Sequence, residues 1–301
     1  MNLIKTTFTI GELESLTGIK AHTIRIWEKR YTILEPLRKE TNSRLYTNTD
    51  LQKLLNISIL IQNGYKISKI ATFSVDEIDL LVTNLKISTT NSDAILHQFR
   101  IAMTTYNETA FINVYKHLRQ TKSVRQIFQE FLLKLLEDTG VLWQANQILP
   151  SHEHFISNVI RMIFIAETFQ INEPTNQKKV FVLFTPLHEI HELALLFLQH
   201  EIKQKGYLCI YLGTHVPLNT LQSVQKQYKN LIYLTYTTIQ PTNINDFITD
   251  LSTEIDLENN KIWIAGRKVD TALKPKNSQI SLFNSIENIL IELDQMTYEP
   301  S

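Results

Sequence analysis

Thr9-Ile-Gly-Glu-Leu-Glu-Ser-Leu-Thr-Gly-Ile-Lys-Ala-His-Thr-Ile-Arg-Ile-Trp-Glu-Lys-Arg-Tyr31 is the stretch that decides how the chain begins to fold. Thr9 and Glu12 have the Ser/Thr-x-x-Glu spacing of a helix capping box, and apolar Leu13 and Leu16 follow at helical spacing. The pattern predicts a short helix over about 10–16. Thr17-Gly18-Ile19 ends it, because glycine adopts positive φ without a Cβ penalty. A second helix is predicted over 21–30, with Ile24 and Trp27 inward. Two short helices around a glycine turn form a helix-turn-helix, whose second helix suits the DNA major groove. Its outward face carries His22, Thr23, Arg25, Lys29 and Arg30.

Working outward, Pro36-Leu-Arg-Lys-Glu-Thr-Asn-Ser-Arg-Leu-Tyr46 sets turn residues between two basic extended pieces. It reads as a β-hairpin wing that brings Arg38, Arg44 and Tyr46 to phosphates. A third helix begins near Asp50, with Leu51, Leu54, Leu55 and Ile59 on one side. Residues 1–70 hold eleven Lys or Arg against six acids, a local +5 on a chain whose formal net charge is zero. That asymmetry agrees with a nucleic-acid footprint.

Ile24-Arg-Ile-Trp-Glu-Lys-Arg-Tyr31, Pro36-x-Arg38 and Arg44-Leu-Tyr46 together resemble the MerR superfamily of winged-helix regulators. The Trp-Glu-Lys-Arg-Tyr form is similar to the branch that carries cobalamin-binding domains. The resemblance implies duplex promoter DNA as partner and a homo-oligomer, dimer or tetramer. Many MerR-type chains continue into a long coiled-coil helix. Here Thr72, Ser74 and Thr89-Thr-Asn-Ser92 follow Ile70, which predicts a direct step into another domain.

Residues 93–171 have helical apolar spacing throughout, in four stripes that predict a four-helix bundle. Pro150-Ser151 reads as a break and N-cap before the last helix. That puts Glu153 and His154 in its first turn and Trp143 near the end of the previous helix. Trp143-x9-Glu153-His154 resembles the signature of the cobalamin-dependent light-sensing repressors of the same branch. The resemblance implies that these residues face the upper side of a corrin and its adenosyl group.

After the polar linker Asn172–Lys178 the periodicity changes to short apolar runs at 180–184, 208–212, 231–236, 261–265 and 279–283. Helical segments are predicted at 191–205, 218–227, 244–255 and 286–296. This alternation predicts a doubly wound, flavodoxin-like parallel sheet with its ligand crevice beyond the carboxyl ends of the strands. Glu189-Ile-His191 in the first crossover loop resembles the Asp/Glu-x-His-x-x-Gly motif of base-off cobalamin binding. The resemblance implies His191 as lower axial cobalt ligand and Glu189 as the acid orienting its ring. Thr235 stands where the family places serine at the nucleotide-tail slot, and Gly266 is the second residue of a Gly-Gly position. Ala194 and Ala265 replace glycines of that pattern, and their methyl groups work against corrin binding.

The expected organisation is multidomain, of α and α/β type, with a winged helix-turn-helix over 1–75. A helical cap follows over 90–172 and a Rossmann-like cobalamin domain over 178–298. Hydrophobic residues make up 43% and charged residues 20%, with no apolar run that spans a bilayer and no signal-peptide pattern, so the cytoplasm is the expected location. The single cysteine, Cys209, excludes an internal disulfide and a cysteine-based zinc site, and reads as a small core residue. The seven glycines form neither a dinucleotide fingerprint nor a Walker loop. The expected function is a regulator controlled by adenosylcobalamin and light, and not an enzyme. Two alternatives stand beside it: a cobalamin-independent regulator that uses the module for assembly, and a corrinoid methyl-transfer protein, which the basic winged segment opposes.

Overall fold

A computed structural model describes residues 7–38, 44–62, 64–84, 92–144 and 148–296. The chain divides into two compact units, Met1–Val159 and Ile160–Ser301.

The first unit opens with β1 (Thr7–Phe8), α1 (Ile10–Thr17) and α2 (Ala21–Tyr31). The capping box forms as the sequence predicts: the Glu12 carboxylate accepts from Thr9 N, and Thr9 Oγ1 accepts from Glu12 N. Gly18 ends α1 at φ 73°. The wing pairs β2 (Leu37–Arg38) with β3 (Arg44–Thr47), setting Arg38 opposite Arg44; its turn residues 39–43 lie outside the described residues. β3 is central in a three-stranded antiparallel sheet of order β1-β3-β2. The core closes with Leu13, Leu16, Ile24 and Tyr46 against Leu51, Leu54 and Leu55 of α3 (Asn48–Gln62).

After α4 (Ile67–Ile70) comes α5 (Val75–Asn84), packed on α3, a short helix ahead of the expected step into another domain. Ser74 is its cap: Ser74 N donates to Glu77 Oε2 at 2.7 Å and Glu77 N to Ser74 Oγ at 3.2 Å. The bundle then runs through α6 (Ser92–Thr104), α7 (Glu108–Arg119), α8 (Val124–Ile127), a π-helical turn (Phe128–Leu132), α9 (Leu133–Gln144) and α10 (Pro150–Phe169). The π turn lets Phe128, Phe131 and Leu132 all bury in one short stretch. Pro150 is the first residue of α10, where its missing N–H costs nothing, so Ser151 lies inside the helix and is not the cap. Leu149 N donates instead to His152 Nδ1 at 3.2 Å.

The second unit holds β4 (Asn176–Phe184), α11 (Leu193–Gln204), β5 (Tyr207–Gly213), α12 (Gln222–Gln225) and β6 (Leu231–Tyr236). It ends with α13 (Ile244–Glu254), β7 (Lys261–Ala265), β8 (Ile280–Phe283) and α14 (Ile286–Gln295). The helix predicted over 218–227 is split into a 3-10 turn (Leu218–Thr220) and the four-residue α12. All strand pairs are parallel, in the order β5-β4-β6-β7-β8. The order reverses at β4, so the carboxyl ends of β4, β5 and β6 flank the switch point where such sheets bind ligands. Cys209 lies on β5, partly buried.

Candidate functional site

On α2, His22, Arg25, Lys29 and Arg30 are exposed and Thr23 is half-buried, so the predicted outward face exists as a basic surface. Arg30 also lies over the Tyr31 ring, 5.3 Å from its centroid. Of the wing residues, Arg38 is located by its strand pairing alone. Arg44 Nε donates to Glu28 Oε1 at 2.9 Å while much of its side chain stays exposed. Tyr46 corrects the expectation of a phosphate contact. It is fully buried, and its hydroxyl donates to Glu28 Oε2 at 2.9 Å. Burial, then that bond, push its hydroxyl pKa far up. Glu28 thus joins α2 to the wing.

In the second unit the loop after β4 is fastened to its neighbours before any ligand is considered. Thr185 Oγ1 donates to Glu189 O at 2.7 Å, and Val216 N donates to Thr185 O at 3.1 Å. His188 N donates to His215 Nδ1 at 3.1 Å, and both histidines hold positive φ, 67° and 59°. Such backbone costs on the order of 1 kcal/mol or more per residue and persists where surrounding structure enforces it.

This loop delivers Glu189, wholly buried, and His191, whose side chain is 43% exposed. Glu189 Oε1 accepts from His191 Nδ1 at 2.5 Å and from His191 N at 3.0 Å. Its Oε2 accepts from the backbone N–H groups of Thr238, Ile239 and Gln240 at 2.9, 2.7 and 3.0 Å, so one carboxylate joins the loops after β4 and β6. Burial pushes the Glu189 carboxyl up, but the His191 bond and the amides of Gln240, Ile239 and His191 outweigh it and hold it at about 2. An ionised acceptor at Nδ1 fixes the proton there, so the lone pair of the neutral ring sits on Nε2, as a metal ligand requires. Leu187, Ile190 and Ile239 stand exposed beside the pair, an apolar surface next to a charged anchor.

Thr235 Oγ1, on β6, is buried without a hydrogen-bond partner among the described residues. An orphaned hydroxyl beneath this crevice is an acceptor-donor awaiting a polar group, so the residues present fit a cobalamin with a buried tail. Gly266 has a reason inside the protein: at φ 107°, a Cβ there would meet Thr237 O at 2.2 Å. Ala265 is completely buried and Ala194 half-buried.

Glu192, beside His191, accepts from Arg161 Nε at 2.6 Å and from Tyr211 OH at 2.5 Å. The sequence reading passed over this cluster; an arginine inside the apolar stripe of α10 was the available signal. Trp143 is the penultimate residue of α9, its side chain outside what is described. Glu153 and His154 fall at the start of α10 as predicted, with Glu153 Oε1 accepting from Ser157 Oγ at 2.9 Å and His154 exposed. No group of three or more His, Cys, Asp or Glu suited to a metal occurs among the described residues.

The profile of the MerR HTH family regulatory proteins matches residues 8–74, and that of the B12 binding domain matches residues 95–166. The chain joins a MerR-type helix-turn-helix to a B12-binding helical domain. It is homologous to the HTH-type transcriptional repressor CarH of Myxococcus xanthus, 25% identical over 221 residues that cover 71% of this chain and 73% of that protein. CarA, a second HTH-type transcriptional repressor of that organism, is 25% identical over 225 residues, 74% of each chain. The HTH-type transcriptional regulator MlrA of Escherichia coli strain K12 is 36% identical over 63 residues, 21% of this chain and 26% of that one. Among solved structures, the monomethylamine corrinoid protein of Methanosarcina barkeri superposes at TM-score 0.53 and 14% identity, covering 68% of this chain and 100% of that one. That likeness is one of fold. No helix of the described residues is long and apolar enough to cross a membrane.

Proposed function

We propose that this MerR-type transcriptional regulator binds adenosylcobalamin in its second unit and releases promoter DNA on illumination. The observation that carries the reading is the Glu189–His191 pair, with its carboxylate held by three backbone amides of the neighbouring loop. His191 would hold the cobalt through Nε2, with Glu189 fixing its tautomer and ring direction. Thr235 would meet a polar group of the cofactor's nucleotide, and Gly266 keeps the loop after β7 close to Thr237. Trp143, Glu153 and His154 would be further cofactor-binding residues. Adenosylcobalamin supplies a light-cleavable cobalt–carbon bond. His22, Thr23, Arg25, Lys29, Arg30, Arg38 and Arg44 contact the duplex, and subunits assemble into a dimer or tetramer that holds it.

A ligand shifts assembly only by its differential affinity for the assembled state, so coupling is measurable as a change in size. Purified protein mixed with adenosylcobalamin in the dark should acquire visible absorbance that survives gel filtration, and illumination should change its elution volume. His191→Ala should abolish retention of the cofactor, whereas His188→Ala should leave it. Equal loss in both variants, or an unchanged elution volume after confirmed photolysis, overturns the reading. Wild-type protein that retains no corrinoid points to the cobalamin-independent regulator. Buried Ala265, in a position the family fills with glycine, favours that second reading.

A further inference from the structure

We propose that Glu28 is the positioning residue that sets the wing for phosphate contact, so that an acid on the DNA-binding surface strengthens DNA binding. The inference rests on the DNA-binding reading of the first unit and goes beyond it by assigning a role to an acidic residue. Among the basic side chains of α2, Glu28 adds a negative charge close to where a polyanion must lie. Elementary electrostatics therefore predicts that it weakens association. The geometry argues the opposite.

Its two oxygens are divided between two residues of β3. Oε1 takes Arg44 Nε and Oε2 takes the Tyr46 hydroxyl, both at 2.9 Å. Arg44 and Tyr46 are two apart on the strand, so their side chains leave from the same face and a single carboxylate can span both. Tyr46 is fully buried, which anchors Oε2 and through it the direction of Oε1. Arg44 is thus held at Nε, the innermost donor of its fork, while 42% of its side chain stays exposed. An arginine carries five donors in a fixed plane, so fixing Nε sets where the other four point.

Holding Nε also restricts Arg44 before it meets a phosphate and so lowers the rotamer entropy it must lose on binding, which is where preorganisation gains affinity.

The two accounts differ in sign, and the full-length protein can be tested with a fluorescein-labelled mixed-sequence DNA duplex, because a phosphate contact is independent of sequence. Glu28→Gln should weaken binding roughly three- to tenfold and flatten the salt dependence by up to about one unit of log K against log salt. In an Arg44→Ala background the same substitution should have no effect or tighten binding, since only the repulsive charge is then removed. Tyr46→Phe keeps the ring and strips only the bond to Oε2. It should weaken binding less than Glu28→Gln, and it carries the test if Glu28→Gln fails to fold. Binding that is unchanged or tighter in folded Glu28→Gln overturns the proposal, as does equal weakening with and without Arg44. A wild-type protein that binds no duplex at all overturns instead the DNA-binding reading beneath it.

Discussion

Glu28 in the first unit and Glu189 in the second both receive hydrogen bonds on both carboxylate oxygens, yet they are built to different standards. Glu28 is gripped by two side chains, one of them partly in water, and ties α2 to the wing. Glu189 is completely buried and takes four backbone N–H groups besides one imidazole, so it is part of the loop's own framework. A side-chain grip can be lost at the expense of function alone. A backbone grip cannot be lost without cost to the fold, because each abandoned buried donor brings a desolvation penalty. The wing is therefore adjustable, and the crevice is preset.

The largest test of that contrast uses glycines. In the second unit a methyl at Gly266 would sit 2.2 Å from Thr237 O, and the residue holds φ 107°. Gly266→Ala should cost about 4 kcal/mol or prevent that unit from folding, through combined backbone strain and overlap. Gly18 in the first unit also has positive φ, 73°, but opens onto empty space. Gly18→Ala should cost only about 1 kcal/mol. Urea unfolding followed by circular dichroism compares them, and equal costs would mean that the crevice is no more rigid than the turn of the helix-turn-helix.

A smaller effect is expected at the carboxylates themselves. Glu189→Gln keeps one acceptor oxygen but turns an NH2 toward backbone donors, and should destabilise the second unit by about 3 kcal/mol. Glu28→Gln keeps an acceptor for Tyr46 and gives up an ion pair whose Arg44 partner is 42% exposed, so it should cost the first unit only about 1 kcal/mol. Calorimetric unfolding of the two variants reads both. If Glu28→Gln proves as costly as Glu189→Gln, the wing is framework too, and the contrast fails.

Local signals carried most of the architecture into view. The capping box at Thr9, the glycine stop at Gly18 and the five apolar strand runs each depend on neighbours in sequence, and each formed where predicted. Ser74-x-x-Glu77 is the same kind of signal, and it caps α5, a helix not predicted from the sequence. The misassigned role of Tyr46 has another origin. A tyrosine on a basic strand looks available, and only strand register and the core beneath β3 turn it inward to Glu28. Pairings between distant elements, such as Arg161 with Glu192 or Glu189 with residues 238–240, have no local spacing to betray them.

The smallest effect compares two buried titratable groups, one in each unit. Glu189 has donors on both oxygens, whereas His97 of α6 is buried with Nδ1 lacking a partner among the described residues. Burial foremost, then the positive charge of Arg100, push its pKa down to about 4, while Asp93 works the other way. The folded ring is therefore neutral at a pH where the unfolded one, with an ordinary value near 6.5, is already protonated. Between those values the unfolded chain binds more protons, so stability must fall as pH falls from about 6.5 and level off below about 4. The loss should be about 1 kcal/mol at pH 5.5 and approach about 3 kcal/mol at the acid end. Denaturant midpoints of the first unit at pH 7.5 and 5.5 measure it, with His97→Leu as the comparison that removes the base and keeps the volume. In that variant the acid loss over this interval should shrink by about 1 kcal/mol. A pH dependence identical in wild type and His97→Leu would show that the ring reaches water or a partner.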